Sequence, residues 1–244
     1  MEKESIYIVM PAYNEEDSIE NVVRQWYPIL NNGNHKSRMV IADFGSTDGT
    51  HEKLLELKKE FQLLEVVENS NKQHGPKCVY LYNYAIEKGA DWIFQTDSDG
   101  QTNPEEFKEF WDQRNNYDVI IGKRMVRGDG KSRAFVEKVV CLLLKIYFKV
   151  SVPDANAPFR LMKSNVLKKY ISNIPEDYNL PNIMLTTYFS RYNEKLLFKE
   201  ISFKPRTTGK NSINIPKIVK IGWKALGDFN KFKKGMKEAD ASRK

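Results

Sequence analysis

Short apolar, β-rich runs alternate with helix-period segments through the first half of this 244-residue chain. That alternation constrains the fold more than any other feature. Ser5–Met10, Arg38–Ala42, Leu64–Glu68 and Trp92–Gln95 each read as a buried strand. Ile19–Leu30 carries Ile19, Val22, Val23 and Trp26 at helical spacing, and further helices are expected through about Phe61 and Lys88. Strands separated by helices pair in parallel, which predicts an α/β fold with a mostly parallel, Rossmann-like sheet flanked by helices on both faces. In such sheets the ligand crevice lies outside the carboxyl ends of the strands.

Three polar clusters fall at those ends. Pro11-Ala12-Tyr13-Asn14-Glu15 follows the first strand, Asp43-Phe44-Gly45-Ser46-Thr47-Asp48 the second, and Asp97-Ser98-Asp99-Gly100-Gln101 the fourth. Residues i and i+2 of an extended chain point the same way, so Asp97 and Asp99 present their oxygens to one point. Two converging carboxylates suit a hard divalent ion, Mg2+ or Mn2+, of the kind that holds a substrate phosphate with waters completing its shell.

The second half is less regular. Asp118–Gly122 reads as a strand, followed by a basic loop that includes Arg124 and Arg127. Asp154–Arg160 reads as a tight polar turn leading into another helix. Leu196–Lys204 reads as a late strand, followed by a loop with Arg206 and Lys210. Two long helices are expected, Arg133–Val150 and Pro216–Lys233, each with a lysine stripe beside an apolar face. In the first the stripe is Lys138, Lys145 and Lys149. In the second it is Lys217, Lys220, Lys224 and Lys231, opposite Ile218, Val219, Trp223, Leu226 and Phe229. Such a helix suits a membrane interface, where basic residues add attraction to anionic lipid. The pattern favours Pro216–Lys233 for that role and leaves Arg133–Val150 balanced between interface and sheet packing.

Charge and cysteine content narrow the partners. A formal net charge of +7 fits anionic ones, such as sugar nucleotides or an anionic membrane surface. No nucleic-acid module accompanies the basic residues, so nucleic acid is not expected. Cys78 and Cys141 form no CxxC or Cys/His ligand pattern and read as ordinary thiols of a reducing compartment. The opening Met1–Glu4 shows no signal-peptide pattern, and the longest apolar run, Val139–Leu144, is too short to span a bilayer.

Several motifs fail. Gly130-Lys131-Ser132 lacks the upstream glycine of a P-loop, position 125 being Met. Asp97-Ser98-Asp99 cannot open a calcium loop, because its twelfth position is Lys108. No Gly-x-Gly-x-x-Gly follows the first strand. His35, His51 and His74 lack metal-ligand spacing and read as surface or structural residues.

Taken together and in order, the clusters resemble family 2 glycosyltransferases with a GT-A fold, and within them the polyprenyl-phosphate sugar transferases typified by dolichol-phosphate mannose synthase. The match covers roughly residues 5 to 215. The resemblance divides the chain into a catalytic domain, 1–214, and a basic amphipathic helix with a polar tail, 215–244. It implies donor binding by Pro11, Tyr13, Asn14, Glu15, Asp43, Ser46, Asp97, Ser98 and Lys210, and a metal on Asp97, Asp99 and Gln101. Phe44 replaces the family's usual second Asp, so base contact falls on Asp43 alone.

The implied reaction inverts the anomeric centre of a UDP- or GDP-hexose in one displacement, with a polyprenyl phosphate as acceptor. Arg124, Arg127 and the segment Arg206–Lys210 are expected as phosphate clamps, since guanidinium meets phosphate bidentately. Arg160 and Arg206 are expected to position an acceptor phosphate. A hydroxyl acceptor on a polysaccharide or protein would instead need a carboxylate base, for which Asp154 and Glu176-Asp177 are available. A non-catalytic nucleotide- or lipid-binding module is the remaining alternative. The expected location is cytoplasmic, peripheral on the cytoplasmic face of the membrane, with the oligomeric state open.

Overall fold

The protein's structure, a computed structural model, describes residues 4–31, 34–68, 71–125, 131–205 and 215–242. Seven strands form one sheet: β1 (Ile6–Ala12), β2 (Arg38–Asp43), β3 (Leu64–Val67), β4 (Trp92–Thr96), β5 (Val119–Arg124), β6 (Phe159–Lys163) and β7 (Leu196–Ile201). Their order is β3-β2-β1-β4-β6-β5-β7, and only β6 runs against its neighbours. The mostly parallel sheet expected from the alternation is present. This is the GT-A arrangement.

β6 departs from the sequence reading, which led Asp154–Arg160 into a helix. The polar turn leading into it and the charged Arg160 within it hide the strand, but the burial obeys a period of two. Phe159 and Leu161 join the core on one face of the sheet, while Met162 joins the core on the other. Arg160 shares the face of Met162 and pairs in register with Gln95 of β4 and Ile121 of β5.

Helices cover both faces. On one side lie α1 (Ile19–Trp26), α2 (Thr50–Glu60) and α4 (Phe107–Gln113). Trp26, Phe94, Phe110 and Phe159 interlock there, with Phe159 at 4.8 Å ring-centroid distance from both Phe94 and Phe110. Each edge-to-face pair of this kind adds about 0.5–1.5 kcal/mol beyond the area it buries.

The other side holds α3 (His74–Glu87), α5 (Lys131–Phe148), α6 (Ser164–Ile171), α7 (Pro181–Arg191) and α8 (Ile215–Ser242). α7 starts with proline at its first position, where no backbone N–H is needed. Gly75 lets the start of α3 press against the chain before α7: a Cβ there would lie 2.4 Å from the Asn179 carbonyl oxygen. α8 runs past the expected end at Lys233 because Phe229, Phe232 and Met236 continue the apolar period. Among the described residues no helix is long and apolar enough to cross a membrane.

Candidate active site

The carboxyl ends of β1, β2 and β4 carry loops that are bonded to one another, so they form one floor. Asn14 adopts a left-handed φ of 55°. That conformation is tolerated better by Asn than by most residues. Its backbone N–H donates to Ser46 Oγ at 3.0 Å, and its side-chain oxygen accepts from the Thr47 N–H at 2.8 Å. Glu15 is buried, its N–H donating to Thr50 Oγ1 and its carboxylate accepting from Ser18 Oγ. Ser98 Oγ donates back to the Pro11 carbonyl at 2.8 Å. Thus Pro11, Asn14, Glu15, Ser46 and Ser98, separate in sequence, share one edge of the sheet.

Asp43 is 2% exposed and both its oxygens are engaged, by Ser46 Oγ at 2.5 Å and His51 Nδ1 at 3.2 Å. Beside it Lys77 is 1% exposed, its ammonium donating to the Ala12 carbonyl and lying 5.3 Å from the ring centroid of Tyr13. Burial lowers the Lys77 pKa to about 8 against the opposing pull of Asp43 and Cys78. Tyr13 and Phe44, each one residue beyond the paired Ala12 and Asp43, present exposed rings at the mouth. The sequence reading contained neither Lys77 nor the histidine contacts, because partners eight to sixty-five positions apart leave no local spacing.

Asp97 closes the other side. Its Oδ1 accepts from His74 Nε2 at 3.1 Å and from Gln95 Nε2 at 3.2 Å. Desolvation beside Cys78 pulls the His74 pKa down, but the side chain is 52% exposed, and Cys78 and Asp97 raise the pKa above its ordinary value. His74 is thus a surface residue as expected, and it touches the first carboxylate of the motif. Gln95 in turn belongs to a buried network: Asn182 Nδ2 donates to Gln95 Oε1 at 3.0 Å, and Tyr82 OH donates to Asn182 Oδ1 at 2.6 Å. β4, α3 and α7 together set the angle of the Asp97 carboxylate.

Arg160 lies beneath that network. It is fully buried, donating to the carbonyls of Ala157 and Asn182 and to Thr186 Oγ1. Its guanidinium, expected at the acceptor phosphate, is spent on the Ala157 carbonyl ahead of β6 and on Asn182 and Thr186 of α7. Burial draws its pKa down, although an arginine stays charged.

Arg124 and Asp154, expected separately as clamp and candidate base, are partners. Arg124 donates bidentately to Asp154, Nε to Oδ2 at 2.7 Å and Nη2 to Oδ1 at 2.8 Å, with both side chains 5% exposed. Glu137 of α5 flanks the pair, 3.5 Å from Arg124, and accepts from the Ala155 N–H at 2.7 Å. Glu176 and Asp177 lie exposed between α6 and α7. Arg127, Arg206 and Lys210 lie outside the described residues.

Gln101 ties the late chain to the site: its Nε2 donates to the Lys204 carbonyl at 2.7 Å, while the Lys204 N–H donates to the Gln101 carbonyl. Asp99 Oδ1 accepts from the Gln101 N–H. Asp97 Oδ2 and Gln101 Oε1 have no protein partner among the described residues. No cluster of three or more His, Cys, Asp or Glu side chains among the described residues would hold an ion by itself. Two carboxylates and an amide oxygen do fit Mg2+ or Mn2+ when a substrate phosphate and water complete the shell.

A GT-A sheet with this loop cluster at its carboxyl edge defines the class: a glycosyltransferase. The model of glycosyl transferase family 2 matches residues 7–171, and the chain belongs to that family. An undecaprenyl-phosphate mannosyltransferase from Micrococcus luteus is 22% identical over 217 residues, 86% of this chain and 87% of the relative. An undecaprenyl-phosphate 4-deoxy-4-formamido-L-arabinose transferase from Pseudomonas fluorescens is 23% identical over 192 residues, 78% of this chain. This chain spans only about half the length of the first curated relatives, 53% and 56%. Among solved structures, glucosyl-3-phosphoglycerate synthase from Mycobacterium tuberculosis with Mn2+, UDP-glucose and phosphoglyceric acid superposes with a TM-score of 0.68 at 16% identity. That match covers 89% of this chain and 76% of the synthase. The chain is thus a family 2 glycosyltransferase related to polyprenyl-phosphate sugar transferases.

Proposed function

We propose that this enzyme transfers a hexose from a UDP- or GDP-sugar to a polyprenyl phosphate at the cytoplasmic face of a membrane, with inversion. The observation that carries the reading is the state of Asp154. A hydroxyl acceptor needs a base to remove its proton. Asp154 is buried and clasped bidentately by Arg124, so its oxygens are taken. A phosphate monoester is already an anion at neutral pH and needs position and charge screening instead. The named activities of the Micrococcus and Pseudomonas relatives support the same acceptor class.

In the reaction an acceptor phosphate oxygen bonds to the anomeric carbon as the bond to the donor diphosphate breaks, and the electron pair leaves with the nucleoside diphosphate. Asn14, Glu15, Asp43, Ser46 and Ser98 form the nucleotide floor, with Pro11 and Tyr13 at its edge. Asp97, Asp99 and Gln101 would hold a divalent ion, which when bound neutralises charge on the diphosphate. His74 meets Asp97 through Nε2 and holds that carboxylate in place. Arg160 and the Arg124–Asp154 pair stiffen the acceptor side, while Arg206 and Lys210 serve as further phosphate clamps. Residues 1–214 form the catalytic unit and 215–244 the appended helix.

Incubating a panel of UDP- and GDP-hexoses with undecaprenyl phosphate, with and without Mn2+, tests this through lipid-linked product. One donor should give product, and Asp99→Asn should lower the rate by on the order of 100-fold. Sugar transfer only to a hydroxyl acceptor would overturn the acceptor, and unchanged turnover in Asp99→Asn would overturn the metal assignment.

A further inference from the structure

α5 is apolar on two opposite sides, and among the described residues only one of them is packed against a partner. Leu144 and Phe148 are buried in the core, with Val140, Leu143 and Tyr147 packed beside them. Phe135, Val139, Leu142 and Ile146 point the other way and are 67%, 38%, 56% and 62% exposed. At 100° per residue these four fall within roughly 60° of one another, roughly opposite Leu144. With a 1.5 Å rise they make a stripe about 16 Å long. These four are half of the large hydrophobic side chains that stand exposed among the described residues, and Met125, 55% exposed, stands at the end of β5. Scattered exposed apolar residues need no explanation; a contiguous row does.

The border of the stripe says what covers it. Lys138 and Lys145 are exposed along one edge, and Lys149 is exposed just past the helix end. The one acidic residue between 131 and 149 is Glu137, which is turned inward to Arg124 and the Ala155 N–H. The outward face is therefore apolar and cationic with no acid on it. A second copy of the same face would bring no carboxylate to meet these lysines. An anionic bilayer supplies both halves of the complement: acyl chain for the stripe and anionic headgroups for the ammonium groups.

We propose that the outward face of α5, formed by Phe135, Val139, Leu142 and Ile146 with Lys138 and Lys145, docks this enzyme onto an anionic membrane surface. The inference rests on the polyprenyl-phosphate reading and adds which surface meets the lipid. It also explains a detail of the site. Glu137, on the inner side of the same helix, touches the Arg124–Asp154 pair, so seating α5 in the headgroup layer brings the acceptor side of the cleft within a helix diameter of the lipid.

Flotation of the full chain with vesicles tests this without any polyprenyl phosphate, using phosphatidylcholine alone and phosphatidylcholine with about a third phosphatidylglycerol. The chain should float with the anionic vesicles and not the neutral ones. The double variant Leu142→Ser with Ile146→Ser should bind at least about tenfold more weakly, with an unchanged melting temperature. Lys138→Glu with Lys145→Glu, which spares the apolar row, should also release it. No flotation of the parent chain, equal binding by the variants, or equal binding to neutral vesicles would overturn the proposal. So would a dimer by light scattering that becomes a monomer in the Leu142→Ser, Ile146→Ser variant, since a second copy would then own the face. Failure of the lipid-linked transfer assay with intact vesicle binding would instead count against the acceptor and leave the docking surface standing.

Discussion

α5 and α8 touch each other, and both are amphipathic helices with lysines beside an apolar face, but their apolar residues have opposite fates. In the described half of α8, Phe229 and Met236 are 2% and 3% exposed. Phe229 meets Phe148 at 5.5 Å and Tyr147 at 5.9 Å, Phe232 meets Tyr178 at 5.1 Å, and Asp240 pairs with Arg191 of α7 at 2.5 Å. That part of α8 is a buttress. α5 lies between this buttress and solvent, so one apolar side is consumed and the other is left over. The side chains of Lys217, Ile218, Val219, Lys220, Trp223 and Lys224 lie outside the described residues. The lesson is that a lysine stripe marks a solvated flank equally well on a docking helix and on a core helix; only the neighbour of the apolar side separates them.

The comparison can be broken most forcefully at Phe229. Phe229→Ala should cost about 3–5 kcal/mol, read by chemical denaturation, because it opens a cavity between α5 and α8. A cost below about 1 kcal/mol would mean α8 is not part of the core.

Lys77 sharpens the contrast between solvated and buried lysine. With a folded-state pKa near 8 and an unfolded value near 10.4, the ammonium is charged in both states below about pH 8, and its burial there costs up to about 3 kcal/mol. As pH rises from 8 toward 10 the folded chain sheds the proton first and that cost is relieved, so this group makes stability rise with pH. Measured against Lys77→Met, the parent should therefore gain on the variant by about 2 kcal/mol between pH 7 and pH 9.5. A difference that stays constant with pH would show that Lys77 titrates normally.

On the inner side of α5, Glu137→Gln keeps an oxygen for the Ala155 N–H but removes the charge facing Arg124. A loss of about 1–2 kcal/mol in thermal unfolding is expected, together with slower transfer at saturating donor. On its outer side Ile146→Ser should move stability by no more than about 0.5 kcal/mol, since the side chain is 62% exposed. Equal losses at Glu137 and Ile146 would erase the distinction between the helix's two sides.

Much of this was legible without coordinates. The strand–helix alternation predicts the parallel sheet, and the clusters at Asn14, Asp43 and Asp97 are recognisable because each sits within a few residues of a strand end. β6 escaped because Arg160 and the polar turn before it hide the strand, and the contacts of Lys77, His74 and His51 escaped because their partners lie eight or more positions away. Arg124, Asp154 and Arg160 stood out in the sequence as a phosphate clamp, a candidate base and an acceptor-positioning residue, but the Arg124–Asp154 pairing and the burial of Arg160 were invisible there.

Periodicity and strand-end chemistry are local, so the residue string alone points to the parallel strands, most of the helices and the polar loops at the strand ends, though not to β6. Whether a charged side chain faces a ligand or another side chain is a property of distance in space. Folding brought Arg124 onto Asp154, put Arg160 under α7, and left one face of α5 uncovered. Those three outcomes depend on contacts between segments tens of residues apart, which no local pattern encodes.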